Sequence, residues 1–316
     1  VPRIAYLGPE GTFTEAALLQ MIAGGMLPPG VAPGPDPGPD HEVAPLPRDS
    51  AGAALEAIRT GDAEYACVPI ENSIDGSVIP TLDGLAGGSP LQIFAEHTLD
   101  VAFSIVTRPG TVVADIETVA AFPVAAAQVR NWLAAQLPDA RLVPAYSNAA
   151  AAQDVAAGAA DAGVSTALAA QRYALAELAA GVVDEANART RFVLVGAPGA
   201  PPARTGADRT SVVLRLDNEP GALVAAMTEL SIRGIDLTRI ESRPTRTELG
   251  TYKFFLDCVG HIADEAVGEA LKALHRRCAE VRYLGSWPTG AAAGAPPPEV
   301  DEAASWLQAR RTGGSA

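Results

Sequence analysis

Cysteine is scarce in this chain of 316 residues: Cys67, Cys258 and Cys278 are the whole set. Three widely spaced cysteines support neither a disulfide framework nor a Cys-x-x-Cys zinc site. Histidine is nearly as rare. His41, His97, His261 and His275 are scattered and form no His-Glu-x-x-His pair, which argues against a protein metal site. Lysine is absent from the first 207 residues, where 10 arginines stand against 22 acidic residues. The net charge is −14 overall. A nucleic-acid binder needs a basic footprint, and neither half of the chain supplies one. Long apolar runs are also missing. The longest uncharged stretch, 16–35, is broken by Gly24-Gly25 and Pro28-Pro29 and makes a poor membrane span. No charged region followed by an apolar block opens the chain, so no secretory signal is visible and a cytoplasmic enzyme or regulator is expected.

What is present is an alternation of short apolar runs and helical patterns. Residues 3–7 read as a strand ended by Gly8-Pro9, and Thr12 with Glu15 fits a capping box for a helix to about Met21. Residues 28–47 hold eight prolines and read as an insert that forms neither a helix nor a central strand. A helix at 49–59 precedes a strand at 65–70. A strand at 119–122 leads, through Pro123, into a helix at 124–136. A strand at 142–145 is followed by an Ala-rich helix capped at Ser147-Asn148. A strand ending at Gly163-Val164 is followed through Ser165-Thr166 by a helix to about Ala179, and the last strand of this region is 192–195. The pattern predicts an α/β fold with mainly parallel sheets. After a linker at 198–207, residues 208–287 show the order βαββαβ, the ferredoxin-like pattern. Residues 288–316 read as a disordered tail.

Polar residues recur where a strand gives way to a helix: Gly11-Thr12, Asn72-Ser73, Ser147-Asn148 and Ser165-Thr166. Such junctions offer free backbone N–H groups and the positive end of a helix dipole, and in open α/β sheets they line the ligand crevice. Ordinary N-caps look the same one at a time. The first junction, Gly8-Pro9-Glu10-Gly11-Thr12-Phe13-Thr14, is neither a dinucleotide loop nor a Walker loop.

Three segments occur in order: that loop, then Glu71-Asn72-Ser73-Ile74-Asp75-Gly76-Ser77-Val78, then Thr190-Arg191-Phe192. Together they resemble the prephenate dehydratase family, whose marks are GPxGTF(S/T), ENSxxGxV and TRF. Gly221-Ala222-Leu223-Val224 and Glu241-Ser242-Arg243-Pro244 resemble the GALV and ESRP signatures of the ACT regulatory domain. The resemblance spans about 3–286 apart from the proline-rich insert. It implies a two-lobed catalytic region at 1–197, like a type II periplasmic solute-binding protein. Lobe 1 would hold about 1–97 and 178–197, lobe 2 about 98–177, with the active site between them. It implies conversion of prephenate to phenylpyruvate, carbon dioxide and water in phenylalanine biosynthesis, with no cofactor, no metal and no attached chorismate mutase domain. Two departures stand out. Phe103 and Phe122 occupy positions where the family often carries histidine, which weakens an imidazole acid–base mechanism.

The resemblance assigns catalysis to Thr190, as hydrogen-bond donor to the departing hydroxyl, with Glu71 open between a carboxylic acid and a structural role. Substrate-binding candidates are Thr12, Phe13, Asn72, Ser73, Ser147, Asn148, Arg189, Arg191 and Phe192. Of these, Arg189 and Arg191 are equally readable as bracing ion pairs, and Phe13 and Phe192 as core. Effector candidates are Asn218, Gly221, Ala222, Leu223, Val224, Glu241, Ser242, Arg243 and Pro244, taking L-phenylalanine. ACT domains pair between chains, so a homodimer or homotetramer is implied. Arogenate as substrate, or a non-catalytic amino-acid sensor, are the alternatives.

Overall fold

The computed structural model describes residues 1–28, 43–185, 188–246, 248–290, 294–298 and 302–313. It separates into two compact units, Val1–Gly84 with His97–Gly196, and Leu85–Glu96 with Ala197–Ala316. In chain order the elements are β1 (Arg3–Leu7), α1 (Phe13–Ala23), β2 (Ala44–Arg48), α2 (Ala51–Thr60), β3 (Tyr65–Asn72), β4 (Gly76–Ser77), α3 (Ile79–Ala86), β5 (Gln92–Asp100) and β6 (Phe103–Thr107). Then come β7 (Thr118–Ala121), α4 (Pro123–Gln128), α5 (Arg130–Gln136), β8 (Arg141–Pro144), α6 (Asn148–Ala156), β9 (Ala162–Ser165), α7 (Ala167–Arg172), β10 (Ala176–Val182) and β11 (Arg189–Gly196). The remainder are β12 (Asp208–Arg215), α8 (Ala222–Ser231), β13 (Leu237–Pro244), β14 (Tyr252–Val259), α9 (Glu265–Arg277), β15 (Glu280–Pro288) and α10 (Glu302–Arg311).

The first unit has two lobes, each built on its own sheet. One sheet runs β2-β1-β3-β11-β5, the other β10-β6-β9-β7-β8. In the first, β1 lies parallel to β2 and β3, and β11 returns antiparallel to β3. In the second, β7 lies parallel to β8 and β9, while β6 is antiparallel to β9 and β10. The sheets are therefore mixed, not mainly parallel. Within each lobe the parallel strands end at one edge, which presents their carboxyl ends and the helix starts that follow.

Four local expectations are corrected. The helix after Thr166 ends at Arg172, where Ala174 takes a positive φ of 51°, and 176–182 form β10 instead. Alanine is compatible with either state, and antiparallel pairing to β6 overrides its helix preference. This carries lobe 2 to Val182, beyond the expected boundary at 177. The helix expected at 124–136 breaks at Val129 (φ −125°, ψ 16°) into α4 and α5. Within the proline-rich stretch, Ala44–Arg48 form edge strand β2. Ala44 N–H donates to Pro2, so Pro45 and Pro47 turn their missing N–H toward the open edge and cost the ladder nothing. Residues 29–42 of the insert lie outside the described residues. The tail read as disordered carries α10, and Ala295 N–H donates to the Asp236 carboxylate at 3.1 Å.

In the second unit the sheet runs β13-β14-β12-β15. α8 and α9 cover one face, burying Val212, Leu214, Ala226, Leu230, Leu256 and Leu274. The opposite face carries residues 85–96. A Cβ on Gly285 (φ +133°) would sit 2.3 Å from the Ile93 carbonyl, so only glycine permits this approach. Glu96 accepts from Arg209 at 2.7 Å and from the Trp287 indole at 2.9 Å. A carboxylate this buried is tolerable only when paired and hydrogen-bonded. No helix among the described residues is long and apolar enough to cross a membrane.

Candidate active site between the lobes of the first unit

Three of the four helix starts singled out by the sequence converge; the other, Asn72-Ser73, instead ends β3 in a turn that leads to strand β4 and not to a helix. Thr12 caps α1, its hydroxyl accepting from Glu15 N–H at 3.3 Å and donating to the Leu7 carbonyl. Ser147 caps α6 through Ala150 N–H at 3.0 Å, and Thr166 caps α7 through Ala169 N–H at 3.0 Å. Thr166 also donates to the Gly11 carbonyl at 2.6 Å, linking the start of α7 in lobe 2 to that of α1 in lobe 1. A Cβ on Gly11 (φ +87°) would lie 2.9 Å from Ala169 Cβ and 3.6 Å from Ala149 Cβ. Three helix N-termini thus meet around Gly11, with their dipoles' positive ends gathered in one place. The capping box is only half made. Glu15 reaches back to Gly11 N–H at 2.6 Å, not to Thr12, and its other oxygen pairs with Arg172. Burial, then the nearby carboxylates of Glu15 and Glu10, push the Tyr6 phenol well above its ordinary range and keep it neutral beneath this junction.

Asn72 and Thr190 face one another across β3 and β11. Asn72 Oδ1 accepts from the N–H groups of Ile74 and Asp75 at 2.8 and 2.9 Å, which fixes the amide plane. Its Nδ2 then donates to Thr190 Oγ1 at 2.9 Å. The threonine oxygen is an acceptor in that bond, so its own hydrogen is left for another partner. Ser73 closes the same corner, taking Arg189 N–H on its hydroxyl at 2.9 Å and giving its N–H to the Arg189 carbonyl.

The neighbours on each strand project to the other face. There Arg191, 9% exposed at its side chain, pairs with Glu71 at 3.1 Å. Arg189 pairs with Asp100 at 2.7 Å on the surface. Phe192 is buried in the core. Phe13 packs edge-on against buried Phe103, centroids 5.6 Å apart, and Phe122 joins the same lobe-2 cluster. The positions expected to carry histidine are thus apolar packing positions here.

Sequence reasoning missed Gln128 and Arg130. A cavity of about 530 Å³ opens beside the Asn72 turn, walled by Ile74 and Asp75 from lobe 1, Pro123, Gln128 and Arg130 from lobe 2, and Asp184 from the return crossing. Its size suits a small metabolite. Gln128 is nine-tenths buried, and its Oε1 accepts no hydrogen bond from the described residues. The buried Oδ1 of Asn148 is in the same position. Orphan buried amides are costly unless something supplies their partner. Neither glutamine nor arginine stands out in an Ala-rich helical stretch, and only the three-dimensional placement exposes them. Asn187, three residues before Thr190, lies outside the described residues.

The effector candidates fall into two sets within the second unit. Gly221 (φ +82°) starts α8, and Asn218, Ala222, Leu223 and Val224 surround that turn. On β13, Ser242 and Pro244 sit opposite Phe254 and Tyr252, on the helix side of the sheet. Glu241 and Arg243 sit opposite Phe255 and Lys253, on the other side. The turn and Pro244 lie at the same end of the sheet, since Arg215 pairs with Lys253 and Pro244 with Tyr252.

Comparison with known proteins gives the same answer over nearly the whole length. The prephenate dehydratase family model matches residues 4–200 and the ACT domain model matches 210–276. A prephenate dehydratase of Mycobacterium sp. (strain JLS) is 74% identical over 313 residues, covering 99% of this chain and 97% of its own. That of Mycobacterium tuberculosis (strain ATCC 25177 / H37Ra) is 71% identical over 311 residues, 98% and 94%. Among solved structures, the prephenate dehydratase of Arthrobacter aurescens in complex with L-Phe is 37% identical, covers 98% of this chain and 99% of its own, and superposes with a TM-score of 0.83. The chain belongs to the prephenate dehydratase family of lyases and carries an ACT domain.

Proposed function

We propose that this chain converts prephenate to phenylpyruvate, carbon dioxide and water, and that phenylalanine inhibits it through the second unit. In the reaction the bond to the ring carboxylate breaks and its electron pair enters the ring. The carbon–oxygen bond at the opposite carbon breaks, and the departing hydroxide takes up one proton. Restored aromaticity supplies the driving force. The enzyme's task is to orient a dianion and to stabilise charge on the leaving oxygen.

The Asn72–Thr190 hydrogen bond carries this reading. Because the Asn72 amide is locked by its turn and donates to Thr190, the threonine hydrogen is free to meet the leaving oxygen. A threonine hydroxyl is a very weak acid, so Thr190 stabilises the departing hydroxide and relays a proton from water. Of the two roles open to Glu71, its ion pair with Arg191 on the far face favours bracing β3 against β11. The helix starts capped by Thr12 and Ser147, with Asn148, Gln128 and Arg130, supply donors for the two carboxylates from both lobes. Arg189 and Phe192 serve structure in this scheme.

Inhibition by phenylalanine is supported by the ACT match and by the Arthrobacter structure in complex with L-Phe. The exposed Gly221 turn offers amides for a carboxylate. Edge strand β13, with Ile240 half exposed, suits pairing with a second copy in a homodimer or homotetramer. The three unpaired cysteines accord with a reducing cytoplasm. A second reading, arogenate as substrate, draws on Asp75 and Glu185 at the cavity wall, where acids would suit its ammonium group. Following phenylpyruvate from prephenate, and phenylalanine from arogenate, with and without added L-phenylalanine tests the whole scheme. Turnover of prephenate that phenylalanine suppresses is expected; no turnover of either acid would leave the sensor alternative.

A further inference from the structure

We infer that Arg172 and Glu15 form a latch between the lobes of the first unit and act as positioning residues for the reaction. Glu15, 1% exposed, sits in the first turn of α1 in lobe 1, and Arg172 is the last residue of α7 in lobe 2. One carboxylate oxygen of Glu15 holds Gly11 N–H and the other holds the Arg172 guanidinium. Arg172 also approaches Glu10 at 3.6 Å, and the next residue, Tyr173, directs its hydroxyl at the Glu10 carbonyl. Thr166, at the other end of α7, holds the Gly11 carbonyl. The bonds of Arg172, Tyr173 and Thr166 cross from lobe 2 to lobe 1, and together they grip the Glu10–Gly11 loop from both ends of one short helix.

The two chain crossings between the sheets join β5 to β6 and β10 to β11 and involve none of these residues. The latch therefore adds a constraint that the covalent connections do not supply. Its effect falls on the proposed site, because the starts of α1, α6 and α7 are the elements it draws together. A dianion that needs donors from both lobes binds only when they stand at the right separation. A free enzyme that spends part of its time unlatched binds with its affinity scaled down to the latched fraction of the intrinsic value, while the complex once closed reacts as before. Glu15 is 1% exposed, so losing Arg172 takes the cation from a buried carboxylate, and the pair favours the closed arrangement.

The inference rests on the proposed reaction for its kinetic arm only. Arg172→Met, Arg172→Lys and Glu15→Gln are compared with the unaltered chain by steady-state turnover of prephenate and by hydrogen exchange. Arg172→Met is expected to raise KM roughly tenfold with kcat within about twofold. Arg172→Lys is expected to recover much of that loss. Exchange should quicken in both the 8–16 and 164–173 segments and stay unchanged in β12–β15. Glu15→Gln keeps an acceptor for Gly11 N–H while losing the ion pair, so it carries the same test should Arg172→Met fail to fold. A lowered melting temperature with KM unchanged and exchange confined to one side would overturn the latch. Failure of the unaltered enzyme to turn over prephenate would instead sink the proposed function, and the exchange measurement would still decide the latch.

Discussion

At the scale of single residues, the orientation of one amide determines where a proton points. Thr190→Ala removes the hydroxyl and should lower kcat about 10²–10³-fold with less effect on KM, the range for losing one donor that acts in the transition state. Thr190→Ser should keep most of the rate. Asn72→Asp is the more discriminating change. A carboxylate in place of the amide accepts where Asn72 donates, so the Thr190 hydrogen turns away from the substrate toward residue 72. Asn72→Asp should therefore lower kcat nearly as far as Thr190→Ala, and combining the two should cost little more than either alone. Steady-state kinetics of the three variants decide it; additive losses would mean that the two residues act separately.

At the scale of elements, local chemistry explains both what could be read from the sequence and what could not. β1, α1, β3 and β11 were legible because turn residues bound strong apolar runs and Thr12 and Pro9 punctuate them. β10 was not, because an alanine-rich run takes its state from whichever neighbour it pairs with, here β6. The Asn72–Thr190 pair was legible as motif residues, but its hydrogen-bond direction needed the turn geometry of Ile74 and Asp75. Gln128 and Glu15 were invisible as site residues, since their importance lies in partners 56 and 157 positions away or absent altogether. Lobe 2 supplies a testable element of its own. Asp161 precedes β9 and accepts from the Thr118 hydroxyl at 2.7 Å and from the N–H groups of Thr118 and Glu117, tying β9 to β7. The Thr118 hydrogen bond above all holds its carboxyl below the ordinary range. A carboxylate with a lowered folded pKa stabilises above its unfolded value, about 3.9, and that stabilisation fades as pH falls through the folded value. Asp161→Asn should therefore lower the melting temperature at pH 7, with the gap to the unaltered protein closing toward pH 3. A gap of constant size across that range would show that the charge is not what matters.

At the scale of the whole molecule, the proposed regulation turns on a glycine. Gly221 starts α8 with φ +82° and open space around it, so a side chain there is opposed by the backbone conformation and not by crowding. Leaving the left-handed region would turn the amides of the Asn218–Ala222 loop away from a bound carboxylate. With a penalty of about 1–2 kcal/mol for a branched residue in that conformation, Gly221→Val should raise the phenylalanine concentration for half-inhibition roughly tenfold. Titration of phenylalanine against turnover measures it, and an unchanged midpoint would move the effector away from this turn.

The second unit also has a history in time, because it is not continuous in the chain. Glu96 meets Arg209 113 residues later and Trp287 191 residues later. At about 5–20 residues per second, a ribosome needs roughly 6–23 s to deliver Arg209 after Glu96 has left the tunnel's entrance, and longer to deliver Trp287. Throughout that interval the side of this stretch that carries Ile93 against Gly285 and Glu96 against Arg209 and Trp287 lacks the strands it packs on. The catalytic half is thus synthesised first but holds a stretch of chain that waits for the other half. A nascent chain stalled before β12 would be left with this side uncovered, and the two halves cannot be separated by a single cut without stranding it.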